Sequence, residues 1–126
     1  MTGKWTVSTE IEFSSSHCLD DYDGICSRVH GHNWVLRVYY EFEALDGGGL
    51  TIDYLDLRAG LEKVVLPRFD HLHLNDVPPF DTISPTSENL VAEIFRICSG
   101  ELSFKGGRLK EIELWETSKD MVRYGE

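Results

Sequence analysis

Apolar residues alternate with polar ones at both ends of the chain and fall at helical spacing through its middle. Trp5, Val7, Ile11 and Phe13 occupy every second position, with Thr9 in the gap, and this period of two predicts a half-buried strand. Residues 19 to 29, with Asp20, Asp21, Asp23 and Gly24, form an expected acidic loop. Trp34, Leu36, Val38, Tyr40 and Phe42 then alternate with Val35, Arg37, Tyr39 and Glu41, a stronger strand signal that stops at the turn Asp46-Gly47-Gly48-Gly49. Tyr54, Leu57, Leu61 and Val64 are spaced three, four and three, which predicts a helix with Asp53 as N-cap and Pro67 ending or kinking it. An irregular stretch from Asp70 to Pro85 leads to Thr86, the N-cap of a second helix with the stripe Leu90, Val91, Ile94, Phe95 and Cys98. Lys110, Ile112 and Leu114 alternate with Glu111, Glu113 and Trp115, and Met121 to Tyr124 form a short last strand. Two strands, two helices and two strands predict an α+β domain, a four-stranded antiparallel sheet with two helices on one face. Its edge strands are expected to pair with other copies of the chain, giving a homo-oligomer.

Length and charge narrow this further. The chain has 126 residues, the size of one domain, and 12 basic against 22 acidic side chains give 12 − 22 = −10. That balance argues against nucleic acid and anionic membrane surfaces as partners, because carboxylates repel phosphates. The apolar runs are far shorter than the ~20 residues of a membrane span. The start, Met1-Thr2-Gly3-Lys4-Trp5, has no apolar secretory stretch, so a cytoplasmic location is expected. In such a compartment the odd set Cys18, Cys26 and Cys98 favours a working thiol over a disulfide framework.

The candidate chemistry lies in the histidines. Continuing the first alternation past Phe13 and Ser15 puts His17 on the apolar face, and extending the second backwards from Trp34 puts His32 and His30 there too. In His30-Gly31-His32 the two Cα atoms should lie about 6.6 Å apart on one strand face, so both imidazoles can meet one ion. Three imidazoles with an open fourth position suit catalytic zinc. The alternatives are hydrogen-bonded core histidines, a non-catalytic zinc-binding module, and a structural site using Cys18, Cys26, His30 and His32, whose spacing does not fit a zinc finger. Cys26, four residues before His30, is a candidate base or nucleophile, whereas Cys18 reads as a spectator and Cys98 as a small apolar residue on its helix stripe. Asp70 next to His71 can fix an imidazole tautomer. Period two from Lys110 places the Glu116 carboxylate on the buried face, where it needs a partner with N–H donors.

Taken together these residues resemble the 6-pyruvoyl-tetrahydropterin synthase and 6-carboxy-tetrahydropterin synthase group of the tunnelling fold. The resemblance rests on Phe13-Ser14-Ser15-Ser16-His17, Cys26-Ser27-Arg28-Val29-His30-Gly31-His32, Thr51-Ile52-Asp53-Tyr54, Asp70-His71-Leu72-His73-Leu74-Asn75, Pro85-Thr86-Ser87-Glu88-Asn89 and Trp115-Glu116-Thr117. It implies that His17, His30 and His32 hold zinc, that Cys26, Asp70 and His71 handle protons, and that Glu116 anchors a pterin ring. The three residues between Cys26 and His30 resemble the 6-carboxy-tetrahydropterin synthases of queuosine and 7-deazapurine precursor synthesis. Such enzymes convert 7,8-dihydroneopterin triphosphate to 6-carboxy-5,6,7,8-tetrahydropterin, triphosphate and acetaldehyde; the pyruvoyl-forming synthase and related pterin side-chain lyases are the alternative. The resemblance also implies a homohexamer of two trimers with the site at a subunit interface. Arg28 and Lys119 are candidates to hold the triphosphate. The chain departs from the group at Ser15, Ser16, Cys18 and His73, which leaves the ligands intact and alters the pocket around them.

Overall fold

A computed structural model describes residues 3–20 and 24–126. Asp21 and Asp23 of the expected acidic loop lie outside the described residues. The predicted elements are present as β1 (Trp5–His17), β2 (His30–Phe42), α1 (Tyr54–Phe69), α2 (Ser87–Glu101), β4 (Gly107–Trp115) and β5 (Met121–Gly125). A two-residue strand, β3 (Leu72–His73), lies within the stretch expected to be irregular. The sheet therefore has five strands, in the order β3-β1-β2-β4-β5. β3 escapes the hydrophobic pattern because two residues carry no period, and it forms by running parallel to Ser15 and Ser16 of β1.

β1 and β2 pair antiparallel along their whole length, from Trp5 opposite Phe42 to His17 opposite His30. Their inward residues, Phe13, Trp34, Leu36, Val38 and Phe42 among them, form one core with both helices. Burying side chains of this size contributes about 1.5–3 kcal/mol each, so the pleat that faces the helices is strongly specified.

The two helices begin at their expected caps. The Asp53 carboxylate accepts from Leu55 N–H at 2.8 Å, and the Thr86 hydroxyl accepts from Asn89 N–H at 3.1 Å. α2 buries the whole predicted stripe and adds Ile97. α1 differs from expectation in two ways. It buries Leu57, Leu61, Val65 and Phe69, while Tyr54 is exposed, and it continues through Pro67 to Phe69. Pro67 sits in the last turn, where only one intrahelical bond is lost, and the burial of Phe69 together with Asp70 N–H donating to Leu66 C=O at 2.9 Å holds that turn closed.

β4 carries a bulge. Glu111 lies opposite Tyr39 and Leu109 opposite Tyr40, which leaves Lys110 as the extra residue. Leu109, Ile112 and Leu114 consequently face the core, and Lys110, expected inward, does not.

The helix-free face carries a ladder of charges across the strands. Arg37 on β2 donates to Glu10 on β1 at 2.6 Å, Tyr39 donates to Glu113 on β4 at 2.9 Å, and Arg123 on β5 donates to Glu113 at 2.6 Å. Glu113 is nearly covered, at 3% exposure. Burial raises its pKa, but donation from Arg123 and Tyr39 outweighs it and leaves the carboxyl below its ordinary value. In the folded chain this group is thus harder to protonate than in the unfolded one, so its contribution is complete above the ordinary glutamate range and fades as pH falls through the folded value. Glu113→Gln is expected to cost about 1–3 kcal/mol at neutral pH. Urea unfolding should show the gap from wild type closing below about pH 4.3; a gap constant with pH would remove the ionised form from the explanation.

Candidate metal centre and proton-handling groups

Register and alternation deliver three imidazoles to one end of the sheet. His17 ends β1, His30 starts β2 opposite it, and His32 lies one pleat further on, with Trp34 beneath. The ring centroids of His17 and His30 are 4.5 Å apart, those of His30 and His32 4.9 Å, and those of His17 and His32 5.1 Å. Trp34 meets His17 and His32 edge-on at 5.2 Å. Among the described residues, His17, His30 and His32 form a group whose ligand atoms all lie within 4.8 Å of one another.

Hydrogen bonds to backbone carbonyls settle two tautomers. His17 Nδ1 lies 2.8 Å from Pro85 C=O, and His30 Nδ1 lies 2.7 Å from Arg28 C=O. A carbonyl can only accept, so each Nδ1 carries the proton and each Nε2 presents a lone pair. Burial pushes the His17 pKa down, against the Pro85 bond that raises it, and the neighbouring imidazoles lower it further. Burial likewise lowers His32, opposed by the Glu116 carboxylate. Both rings are therefore neutral at neutral pH, the form that ligates metal.

Glu116 completes the cluster. Its side chain is half-buried, and Oε1 lies 3.4 Å from Nε2 of both His17 and His32. The two Nε2 atoms are buried without a hydrogen-bond partner. With the His17 proton on Nδ1, its Nε2 lone pair and the Glu116 oxygen are both acceptors, and a shared cation relieves their approach. The donor set thus fits a divalent ion held by nitrogen, with oxygen able to join or to receive a ligand.

Asp70 and His71 form a second unit on the other side of β1. The Asp70 carboxylate accepts from Ser14 N–H at 2.9 Å and lies 2.9 Å from His71 Nδ1. The Ser14 amide bond, followed by the bond from His71, lowers the Asp70 pKa. His71 has φ of 60°, a left-handed conformation unusual for a residue with a Cβ, and its N–H donates to Ser14 C=O at 2.6 Å. Strain of this kind gathers at functional positions. The imidazole is largely exposed and faces a groove of about 430 Å³ that is shared with Ser16, His32, Asn33 and His73.

The segment from Asp70 to Asn75 is strapped to β1 by side chains that the sequence pattern did not single out. Ser15 hydroxyl donates to Phe69 C=O, Ser16 hydroxyl meets His73 Nδ1 at 2.9 Å, and the Asn75 amide both receives Cys18 N–H and donates to Cys18 C=O at 3.0 Å. The departures at Ser16 and His73 are thus partners of each other. A serine in the inward register between Phe13 and His17, flanked by two more serines, is the sequence signal for this strap. The Pro85 and Arg28 carbonyls that orient the imidazoles have no side-chain signature at all.

Cys26 stands apart from the histidine group, on the 3-10 turn Ile25–Ser27, with its thiol half-buried. The structure therefore brings His17, His30, His32 and Glu116 together and pairs Asp70 with His71, while Cys26 sits on the loop that leads into β2.

Comparison with known proteins gives the family of the chain. The chain is 34% identical over 124 residues to "6-carboxy-5,6,7,8-tetrahydropterin synthase" of Synechocystis, covering 95% of this chain and 92% of that protein. It is 30% identical over 138 residues to the protein of the same name from Haemophilus influenzae, covering 95% and 98%. Its fold superposes on the solved Caenorhabditis elegans 6-pyruvoyl tetrahydropterin synthase with a TM-score of 0.86, at 27% identity and over 99% of this chain and 97% of that one. Residues 6–126 match the family described as 6-pyruvoyl tetrahydropterin synthase. With the histidine-bearing strands, the Asp70–His71 strap and Glu116 all inside the matched span, this chain belongs to the 6-pyruvoyl tetrahydropterin synthase family.

Proposed function

We propose that the protein is a zinc-dependent 6-carboxy-5,6,7,8-tetrahydropterin synthase. It would act on 7,8-dihydroneopterin triphosphate, releasing triphosphate and acetaldehyde, at the step that feeds queuosine and 7-deazapurine precursors. The observation that carries this reading is the convergence of three unpartnered or carbonyl-oriented imidazoles with Glu116, in a chain that is 34% identical to a protein of that name. The short spacing of Cys26 before His30 agrees with it.

Zinc held by His17, His30 and His32 would polarise the hydroxyls of the substrate side chain and acidify the adjacent C–H. Glu116, beside that centre, accepts hydrogen bonds from the ring N–H groups of the pterin and so orients the side chain toward the histidines. Cys26 removes the proton from the side-chain carbon. Asp70 holds the Nδ1 proton of His71, which leaves Nε2 free to exchange a proton in the groove. Arg28 and Lys119, both exposed, supply positive charge for the triphosphate.

Cys26 and Asp70 are outside the mutually close ligand group of one chain, which supports a site completed where copies meet. The edge strands β3 and β5 offer unpaired backbone groups for that assembly, and a homohexamer of two trimers would use them. Among the described residues no helix is long and apolar enough to cross a membrane, and a cytoplasmic location accords with this reading.

Incubation of the zinc-loaded protein with 7,8-dihydroneopterin triphosphate, analysed by mass spectrometry, tests the proposal. The expected products are 6-carboxy-5,6,7,8-tetrahydropterin and acetaldehyde. A 6-pyruvoyl product would reassign the chain within its family, and unchanged substrate would leave a zinc-binding module without this activity.

A further inference from the structure

The Cys18 thiol, which donates to the Asp20 carboxylate at 3.3 Å, has no part in the site described above, yet the backbone brings Cys18 to Cys26. Leu19 N–H donates to Cys26 C=O at 2.8 Å. Among the described residues the cis peptide bond is Pro78-Pro79, so the Cys18–Leu19 bond is trans. In a trans peptide the N–H lies on the same side as the preceding Cα, which sits about 2.4 Å from that nitrogen. The Cys26 carbonyl oxygen then falls about 3.6 Å from the Cys18 Cα, and it is itself about 2.4 Å from the Cys26 Cα. The two Cα atoms are therefore at most about 6 Å apart, short of the roughly 6.8 Å limit that disulfides span.

Both ends of this approach are held. The Asn75 amide clamps the Cys18 main chain from both sides, and the turn bearing Cys26 is closed by Ser27 N–H donating to Gly24 C=O and Arg28 N–H to Ile25 C=O, each at 3.1 Å. Both thiols are half-buried and so within reach of a small reagent. Cys98 is fully buried on α2, where burial pushes its thiol up to about 12, and it takes no part.

We propose that Cys18 and Cys26 are a reversible thiol pair, oxidised to an intramolecular disulfide by a low-molecular-weight disulfide such as glutathione disulfide. The Cys26 sulfur attacks one sulfur of the oxidant and expels a glutathione thiolate. The Cys18 sulfur then attacks Cys26 and expels the second glutathione, its proton leaving with that thiolate. Two cysteinyl thiols lose two electrons and two protons, and the S–S bond of the oxidant becomes two thiols. Because the histidines are not consumed, the metal centre stays intact while Cys26 is blocked. The loss of activity rests on the role proposed for Cys26; the disulfide itself does not.

The zinc-loaded protein treated with glutathione disulfide should lose about two mass units. Peptide mapping should join the peptides of Cys18 and Cys26, and turnover should disappear with zinc content unchanged and return on adding dithiothreitol. Cys18→Ser should instead retain one glutathionyl group on Cys26. A wild-type protein that stops at the glutathionyl adduct, or links between molecules, overturns the inference. A Cys18–Cys26 bond that leaves turnover intact overturns the switch and, separately, the part given to Cys26 in the reaction.

Discussion

His30→Ala is expected to abolish turnover and to weaken zinc binding by roughly 100-fold or more, since even loss of an outer partner of a ligand costs about 10–100-fold. His30 opens β2 opposite His17, and its Nδ1 proton is committed to Arg28 C=O, so its Nε2 is available for the ion. Alanine leaves two imidazoles, and a third ligand could then come from Glu116 only by taking that carboxylate from the part proposed for it in holding the pterin. The fold should survive, because His30 lies at the sheet's end outside the apolar core. Metal analysis of the purified variant, with circular dichroism to check the fold, gives the readout. Full zinc occupancy in a folded His30→Ala protein would remove this histidine from the site and end the three-histidine interpretation.

Cys26→Ala separates chemistry from metal binding. Turnover should fall by about 10²–10⁴-fold, the usual contribution of a positioned base, with zinc content unchanged. Its stability should stay within about 0.5 kcal/mol of wild type, because the residue is half-buried and the hydrogen bonds of its turn come from the backbone and the Ser27 hydroxyl. Steady-state rates and metal analysis on one preparation decide the outcome. Near-normal turnover would exclude the thiol from the reaction, and loss of zinc would make it a ligand.

Much of the site is legible in the sequence because alternation in β1 and β2 is nearly unbroken. Period two carries through Phe13, Ser15 and His17, and through Trp34, His32 and His30, so the inward direction of three histidines follows from the pattern alone. The helix caps were legible for a similar reason, as Asp53 and Thr86 act within three residues of their own position. What escaped was either short or relational. β3 exists only through its pairing with Ser15 and Ser16, and the continuation of α1 through Pro67 depends on where Phe69 finds its cavity. The bonds that orient His17 and Asp70 come from the Pro85 carbonyl and the Ser14 amide, groups that every residue possesses and no composition reveals.

The bulge at Lys110 bears on how this strand tolerates change in length. β4 is divided there into two stretches with independent phase, one reaching back to Gly107 and one running forward through Ile112 and Leu114 to Glu116. A residue gained or lost in the turn before Gly107 can be absorbed by moving the bulge, with the forward stretch undisturbed. A residue gained or lost between Glu111 and Glu116 has no such outlet, and it would carry the carboxylate through the sheet to the charged face, away from the three imidazoles. Divergent chains with this architecture are therefore expected to drift in length ahead of the bulge and to keep a fixed count of residues after it.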